Sequence, residues 1–276
     1  MVDKPAGVTS HDVVAQLRRR LGERRVGHSG TLDPDATGLL LVGVGSVTRA
    51  LRFLTDLPKT YTGEVVLGVE TSTLDAAGEV TARHDMAGVT VEDARQVAAE
   101  HLTGPILQVP PMVSALRVGG RRLHELARDG IEVEREARPV TVHRFDIDSM
   151  ADPLVLRIEV QCSSGTYVRS LAADLGRLLG GGAHLQHLRR TAVGSFTEAD
   201  AESPDVASLL PPAEAMRDYQ RITVDDATVG LVAHGRPLPA FPGPPPWALL
   251  GPDGSLLAVY ETHGDGSKPA VVLVGS

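Results

Sequence analysis

Apolar positions along residues 12–21 fall at Val13, Val14, Leu17 and Leu21, the spacing of one helical face. Thr9 and Asp12 have capping-box spacing, and Gly22 follows as a stop, so a helix is predicted there after a short extended segment and turn over residues 2–10. The apolar run Leu39 to Val44 reads as a buried strand, and residues 61–69 as another. A second capped helix fits residues 91–102, with Thr90 as cap, Asp93 closing the box and Gly104 as stop. Residues 121–129 make a short basic helix ended by Gly130. Alternating segments near 139–147 and 154–162 read as paired strands, and Val168, Leu171, Ala172, Leu175, Leu178 and Leu179 mark a helix over about 167–179. A composition shift over 194–220, with Ser203-Pro204 and Pro211-Pro212, suggests a linker. Beyond it, Asp253-Gly254 between two apolar runs is a hairpin signal, and the Pro-rich stretch 238–246 an exposed loop.

Composition narrows the classes. A chain of 276 residues holds one large domain and a small accessory one. No apolar run nears the roughly 20 residues needed to span a bilayer, and the first 20 residues do not read as a signal peptide. The single cysteine, Cys162, excludes an internal disulfide and a multi-thiolate metal site. A cytoplasmic protein is expected, with no membrane partner. Aromatic residues are scarce, which disfavours broad base-stacking platforms.

Charge refines this picture. The net charge of −8 argues against a nucleic-acid partner, but it is unevenly spread. Residues 1–53, 117–144 and 162–190 are net +3, +2 and +3, whereas residues 194–276 are net −7. Three basic stretches can fold into one cleft that attracts phosphate, or they can be solvated helix faces.

The densest special region is Gly27 to Gly38, where three glycines, a proline and small hydroxyl residues surround Asp33. Such a loop can aim a carboxylate at a substrate. Taken alone, it reads more simply as a turn capped by Asp33 before Pro34. Other motifs fail. Gly27-His28-Ser29-Gly30 lacks the next glycine of a nucleophile elbow, since Thr31 stands there. Gly43-Val44-Gly45 has Thr48 in place of a third glycine, so a dinucleotide site is weak. His184 and His187 lack a zinc pattern. Asp33 and Asp35 are too close in sequence to straddle a sugar as a glycosidase pair.

The string Gly27-His28-Ser29-Gly30-Thr31-Leu32-Asp33-Pro34-Asp35-Ala36-Thr37-Gly38 resembles the catalytic motif of the bacterial TruB-type tRNA pseudouridine(55) synthases. Further stretches resemble the same family in the same order: Val2 to Gly7, Lys59-Thr60-Tyr61, Pro110 to Leu116, Gly130-Ile131, Arg135 to Pro139, Cys162 to Arg169 and His187 to Arg190. The resemblance spans about residues 2–195. It implies an α+β pseudouridine synthase fold, with a mixed, largely antiparallel central sheet flanked by helices and a small β-rich C-terminal domain. Domain bounds of 1–205 and 218–276 are expected, with an RNA-clamping insertion at about 112–138. More loosely, residues 218–276 resemble a PUA-type RNA-binding domain, through Ala233 to Leu238 and Leu256 to Tyr260.

By the same resemblance, Asp33 is the covalent catalyst, Tyr61 packs on the target base and is a candidate for moving a proton, and Arg169 keeps Asp33 ionised. Tyr167 and Leu188 line the pocket of the flipped base, His28 belongs to the space that base vacates, and Lys4 supports the active loop. Gly119-Gly120 is a candidate hinge of the insertion. The implied substrate is the T-loop uridine at position 55 of tRNA, the implied oligomeric state a monomer, and neither cofactor nor metal is required, because the reaction is an internal rearrangement. Competing readings are a tRNA-binding protein without chemistry, a related synthase acting on ribosomal or guide-selected RNA, and, last, a glycoside hydrolase.

Overall fold

The computed structural model describes every residue except 115, 119, 132, 275 and 276. The motif residue Ala115 and half of the candidate hinge, Gly119, lie outside the described residues. The chain forms two compact units, one from residues 1–57 with 192–276 and one from residues 58–191. The fold class is α+β, with a β-rich C-terminal region.

In the first unit, β1 (Val2–Lys4) leads into α1 (Ser10–Leu21), capped as predicted. The Thr9 side chain accepts from the Asp12 N–H, and the Asp12 carboxylate accepts from the Thr9 N–H at 2.8 Å. The Thr9 hydroxyl, which donates to the same carboxylate at 2.6 Å, and the Thr9 N–H hold the Asp12 carboxyl below its usual range. Strand β2 (Val26–Ser29) then turns back into β3 (Thr37–Val44), which pairs antiparallel with β2 at its end and with β1 at its start. The apolar stripe of α1 buries Val13, Val14 and Leu17 against Val2, Val26 and Leu40. A short helix, α2 (Leu51–Asp56), follows a 3₁₀ turn.

The second unit opens with β4 (Lys59–Leu67), then β5 (Val69–Thr71) pairs with β6 (Val80–Arg83). Helix α3 (Val91–Val97) carries the expected Thr90–Asp93 capping box, but residues 98–102 continue it as a π turn. After β7 (Gly104–Gln108) comes the insertion, where the predicted helix starts late. Strands β8 (Arg117–Val118) and β9 (Arg121–Arg122) form a small hairpin before α4 (Leu123–Arg128). Strands β10 (Arg138–Ser149) and β11 (Val155–Cys162) pair as expected, giving the antiparallel order β4-β11-β10-β7. Helix α5 (Val168–Leu178) buries Leu171, Ala172 and Leu175 completely, against Val65, Ile158 and Val160 among others. Cys162 sits in the same cluster, where burial pushes its thiol up to about 11. Strand β12 (Ala183–Val193), unforeseen from the sequence, lies beside β4.

The last two residues of β12 belong to the first unit and pair with β13 (Phe196–Thr197). The segment predicted as a linker is packed, with Ala207, Ala213 and Met216 buried. Strand β14 (Gln220–Thr223), α6 (Asp226–Ala233), β15 (Leu238–Pro239), β16 (Trp247–Leu250), β17 (Leu256–His263) and β18 (Gly266–Val272) complete the chain. Their sheet has the order β14-β16-β17-β18-β15, and β16 and β17 form the predicted Asp253-Gly254 hairpin. Phe53 of α2 packs with Met216, Ala248 and Val259, and its carbonyl accepts from the Tyr219 hydroxyl at 2.6 Å.

Candidate active site

Asp33 sits half-buried in the connection between β2 and β3. Gly30 and Gly38 bracket that connection with φ of +83° and +99°, angles that a side chain would resist. Three anchors fix the loop. Ser10, fully buried at the start of α1, accepts from the Leu32 N–H at 2.9 Å and donates to the Leu32 carbonyl at 3.2 Å. The Gly7 N–H donates to the Pro34 carbonyl at 3.0 Å. The buried Lys4 ammonium donates to the carbonyls of Pro34, Val8 and Pro5 at 2.8, 2.7 and 2.8 Å. A buried lysine is tolerated when its donors are met, and here they tie β1 to the residue after Asp33. The structure thus brings Lys4 to the Asp33 loop. His28 lies on β2 with its ring edge-on to His11, centroids 5.4 Å apart.

The remaining predicted residues lie in the second unit. Tyr61 on β4 and Leu188 on β12 are both partly buried and pack on the same apolar cluster. Tyr167 caps α5, and buried Gln108 grips its backbone from both sides: its carbonyl accepts from the Tyr167 N–H at 2.8 Å and its amide donates to the Tyr167 carbonyl at 3.1 Å. Tyr167, Gln108, Leu116, Arg138 and Ser164 line a cavity of about 120 Å³.

Arg169 is only 4% exposed. Its Nη1 donates to the Thr73 carbonyl at 2.9 Å and lies 3.3 Å from Asp75 Oδ2, while Nη2 donates to the Val113 carbonyl at 2.8 Å. Buried guanidinium groups need partners on several nitrogens, and these supply them. Asp75 was missed by reading the sequence. Its carboxylate also accepts from the Thr73 hydroxyl at 2.5 Å and the Ala77 N–H at 3.2 Å, in a turn where Leu74 has φ +63°. The available signal was the run Thr73-Leu74-Asp75-Ala76-Ala77-Gly78, hydroxyl, acid and glycine at turn spacing. Gly78 is required there, since a Cβ would come within 2.4 Å of the Thr73 hydroxyl.

Among the described residues, no three His, Cys, Asp or Glu side chains gather as metal ligands. His184, which the sequence pairs with His187, bonds instead through Nδ1 to the Val69 carbonyl at 2.9 Å. No described helix is long and apolar enough to cross a membrane.

A carboxylate on an anchored loop in one unit, with two tyrosines and a buried arginine in the other, is the residue set that the sequence resemblance named. Family models extend that resemblance over nearly the whole chain. Residues 18–168 match the TruB family pseudouridylate synthase N-terminal domain, residues 169–219 the tRNA pseudouridylate synthase B C-terminal domain, and residues 219–274 the tRNA pseudouridine synthase II C-terminal domain. Relatives named tRNA pseudouridine synthase B include that of Arthrobacter sp. (strain FB24), 43% identical over 100% of this chain and 96% of its own. That of Thermobifida fusca (strain YX) is 45% identical over 100% and 98%. That of Symbiobacterium thermophilum is 49% identical over 84% and 80%. Among solved structures, a Cbf5-Nop10-Gar1 complex is similar with a TM-score of 0.74 at 25% identity, covering 99% of this chain and 84% of the other. An H/ACA RNP bound to a substrate RNA containing 2′-deoxyuridine shares the fold, with a TM-score of 0.72 at 23% identity over 99% and 84%. The chain belongs to the TruB family of pseudouridylate synthases.

Proposed function

We propose that this chain isomerises the uridine at position 55 in the T loop of tRNA to pseudouridine, with Asp33 as the covalent catalyst. The observation that carries the reading is the anchoring of the Asp33 loop by Ser10, Gly7 and Lys4, which restricts one carboxylate to a narrow range of positions. A uridine in a folded loop exposes no glycosidic carbon, so the nucleotide must leave its stack, at about a few kcal/mol. Asp33 forms an adduct with the nucleotide, the N1–C1′ bond breaks, the uracil turns, a C5–C1′ bond forms, and the bond to Asp33 breaks to return its carboxylate. A proton leaves C5 and N1 ends protonated, so atoms balance without oxidant, metal or group donor.

Tyr61 packs on the base and is placed on a rigid strand to move that proton. Arg169 supplies the positive charge that favours ionised Asp33. Tyr167 and Leu188 bound the base, His28 borders the space it leaves, and Lys4 acts through the loop. The functional division into residues 1–205 and 218–276, the second a PUA-like RNA-binding domain, the cytoplasmic site of action and the monomeric state belong to the same reading.

Unmodified tRNA transcript incubated with the protein is expected to gain pseudouridine at position 55 alone, mapped by position. Asp33→Asn should abolish product while tRNA binding persists. Conversion only at other uridines, or an active Asp33→Asn protein, would refute the assignment.

A further inference from the structure

Leu185 and Leu188 on β12 both meet the apolar cluster of the second unit. They are three positions apart, and the two-residue alternation of a strand puts such positions on opposite faces. The discrepancy is resolved at His187, whose φ is +53°. Among the described residues, only it and Leu74 combine a side chain with a left-handed backbone. One such residue inside a strand adds a step and resets the alternation, as a β-bulge does. Without it, Leu188 would face away from the cluster on which Tyr61 packs.

A left-handed histidine costs free energy, so something must hold it. Strand β4 does so from both faces. On one face the Glu64 carboxylate accepts from His187 Nδ1–H at 2.8 Å, and the same oxygen accepts from the Gln186 amide at 2.8 Å. On the other face, next but one to Tyr61, stands Gly63. A Cβ there would lie 3.3 Å from Leu185 Cδ1, 3.5 Å from the Gln186 carbonyl and 3.6 Å from Leu188 Cα. The bulge backbone therefore rests on a glycine while a carboxylate grips its side chains. The His187 side chain is 72% exposed, so the pair has only the modest cost of one left-handed residue to offset.

We propose that Glu64 and His187 form a clasp whose role is to turn Leu188 toward Tyr61 and so set the wall of the target-base pocket. His187 is a positioning residue. It acts through its backbone angle, stabilised by Glu64, and not by touching the reacting atoms. The proposal rests on the pseudouridine synthase reading for its functional consequence and on the contacts of β12 with β4 for its structural one.

The test compares the whole protein with His187→Gly, His187→Val and Glu64→Ala. Glycine accepts the left-handed backbone without a side chain, whereas valine resists it most. Three quantities are read: single-turnover pseudouridine formation on tRNA transcript, tRNA dissociation constant, and the crystal position of Leu188. His187→Val is expected to slow the single turnover roughly tenfold or more at unchanged tRNA affinity, with Leu188 turned off the Leu185 face. His187→Gly should retain most of the rate and keep Leu188 in place, with Glu64→Ala between the two. A valine variant with wild-type rate and Leu188 unmoved overturns the proposal, as does a glycine variant as slow as the valine one. If the unaltered protein forms no pseudouridine but Leu188 moves in the valine variant alone, the functional reading falls and the clasp stands.

Discussion

Ser10 has one hydroxyl and uses it twice, accepting from and donating to the backbone of Leu32, one residue before Asp33. Alanine there would leave the buried Leu32 N–H without that partner, at a cost of about 1–3 kcal/mol. Ser10→Ala is therefore expected to lower the melting temperature by several degrees, and to slow pseudouridine formation more than it weakens tRNA binding. Equal rates in the two proteins would detach the loop anchor from catalysis. Such contacts explain what was legible in the chain at this scale. Asp33, Tyr61 and Arg169 are legible as candidates because they stand in an ordered run of motifs. Ser10, Gln108 and Asp75 are not, because each acts on a backbone or side chain far away in sequence, and nothing local marks a serine or a glutamine for that. His187 was read as part of a motif, whereas its backbone angle carries the information.

At the scale of elements, local signals served best where the chain closes its own hydrogen bonds. Both Thr–Asp capping boxes and the Asp253-Gly254 hairpin were readable for that reason. Strand β12 escaped because its mixed polar pattern, His184 to Arg190, alternates poorly, and the reset at His187 is a tertiary effect. The basic insertion is a hairpin and a short helix with Leu123 and Leu126 buried, so it is structured in its own right. Ion pairing of Arg121 with Asp129 at 2.5 Å and the Arg135 bond to the Pro110 carbonyl at 3.2 Å tie down its ends. Replacing residues 118–130 by a short Gly-Ser link should raise the tRNA dissociation constant at least roughly tenfold, several lost phosphate contacts being worth that much. The remaining protein should melt cooperatively. Unchanged affinity would remove the insertion from the RNA interface.

For the whole molecule, a net charge of −8 coexists with basic stretches over residues 1–53, 117–144 and 162–190. Binding through such stretches releases counterions from the RNA. The logarithm of affinity should then fall with the logarithm of salt concentration with a slope of magnitude about three or more, each phosphate contact adding roughly 0.7–0.9. Titrations at several potassium chloride concentrations measure it, and a flat line would mean that the global acidity prevails. The acidic stretch 194–276 should contribute little to that slope, so neutral substitution of Arg236 is expected to change it by no more than one contact.

The first unit is discontinuous: residues 1–57 complete their core only with residues 192–276. Gln16 bonds Asp205 at 2.6 Å and Arg20 the Asp205 carbonyl at 3.0 Å, closures of 189 and 185 residues. On a ribosome, α1 emerges early and waits for these partners while the entire second unit is made. Val13, Val14 and Leu17 can already meet Val2, Val26 and Leu40, but Ala207 of the same cluster and the bonds of Gln16 and Arg20 must wait, because non-local contacts cannot form before their far ends exist. Slow synthesis between codons 58 and 191 would lengthen that wait.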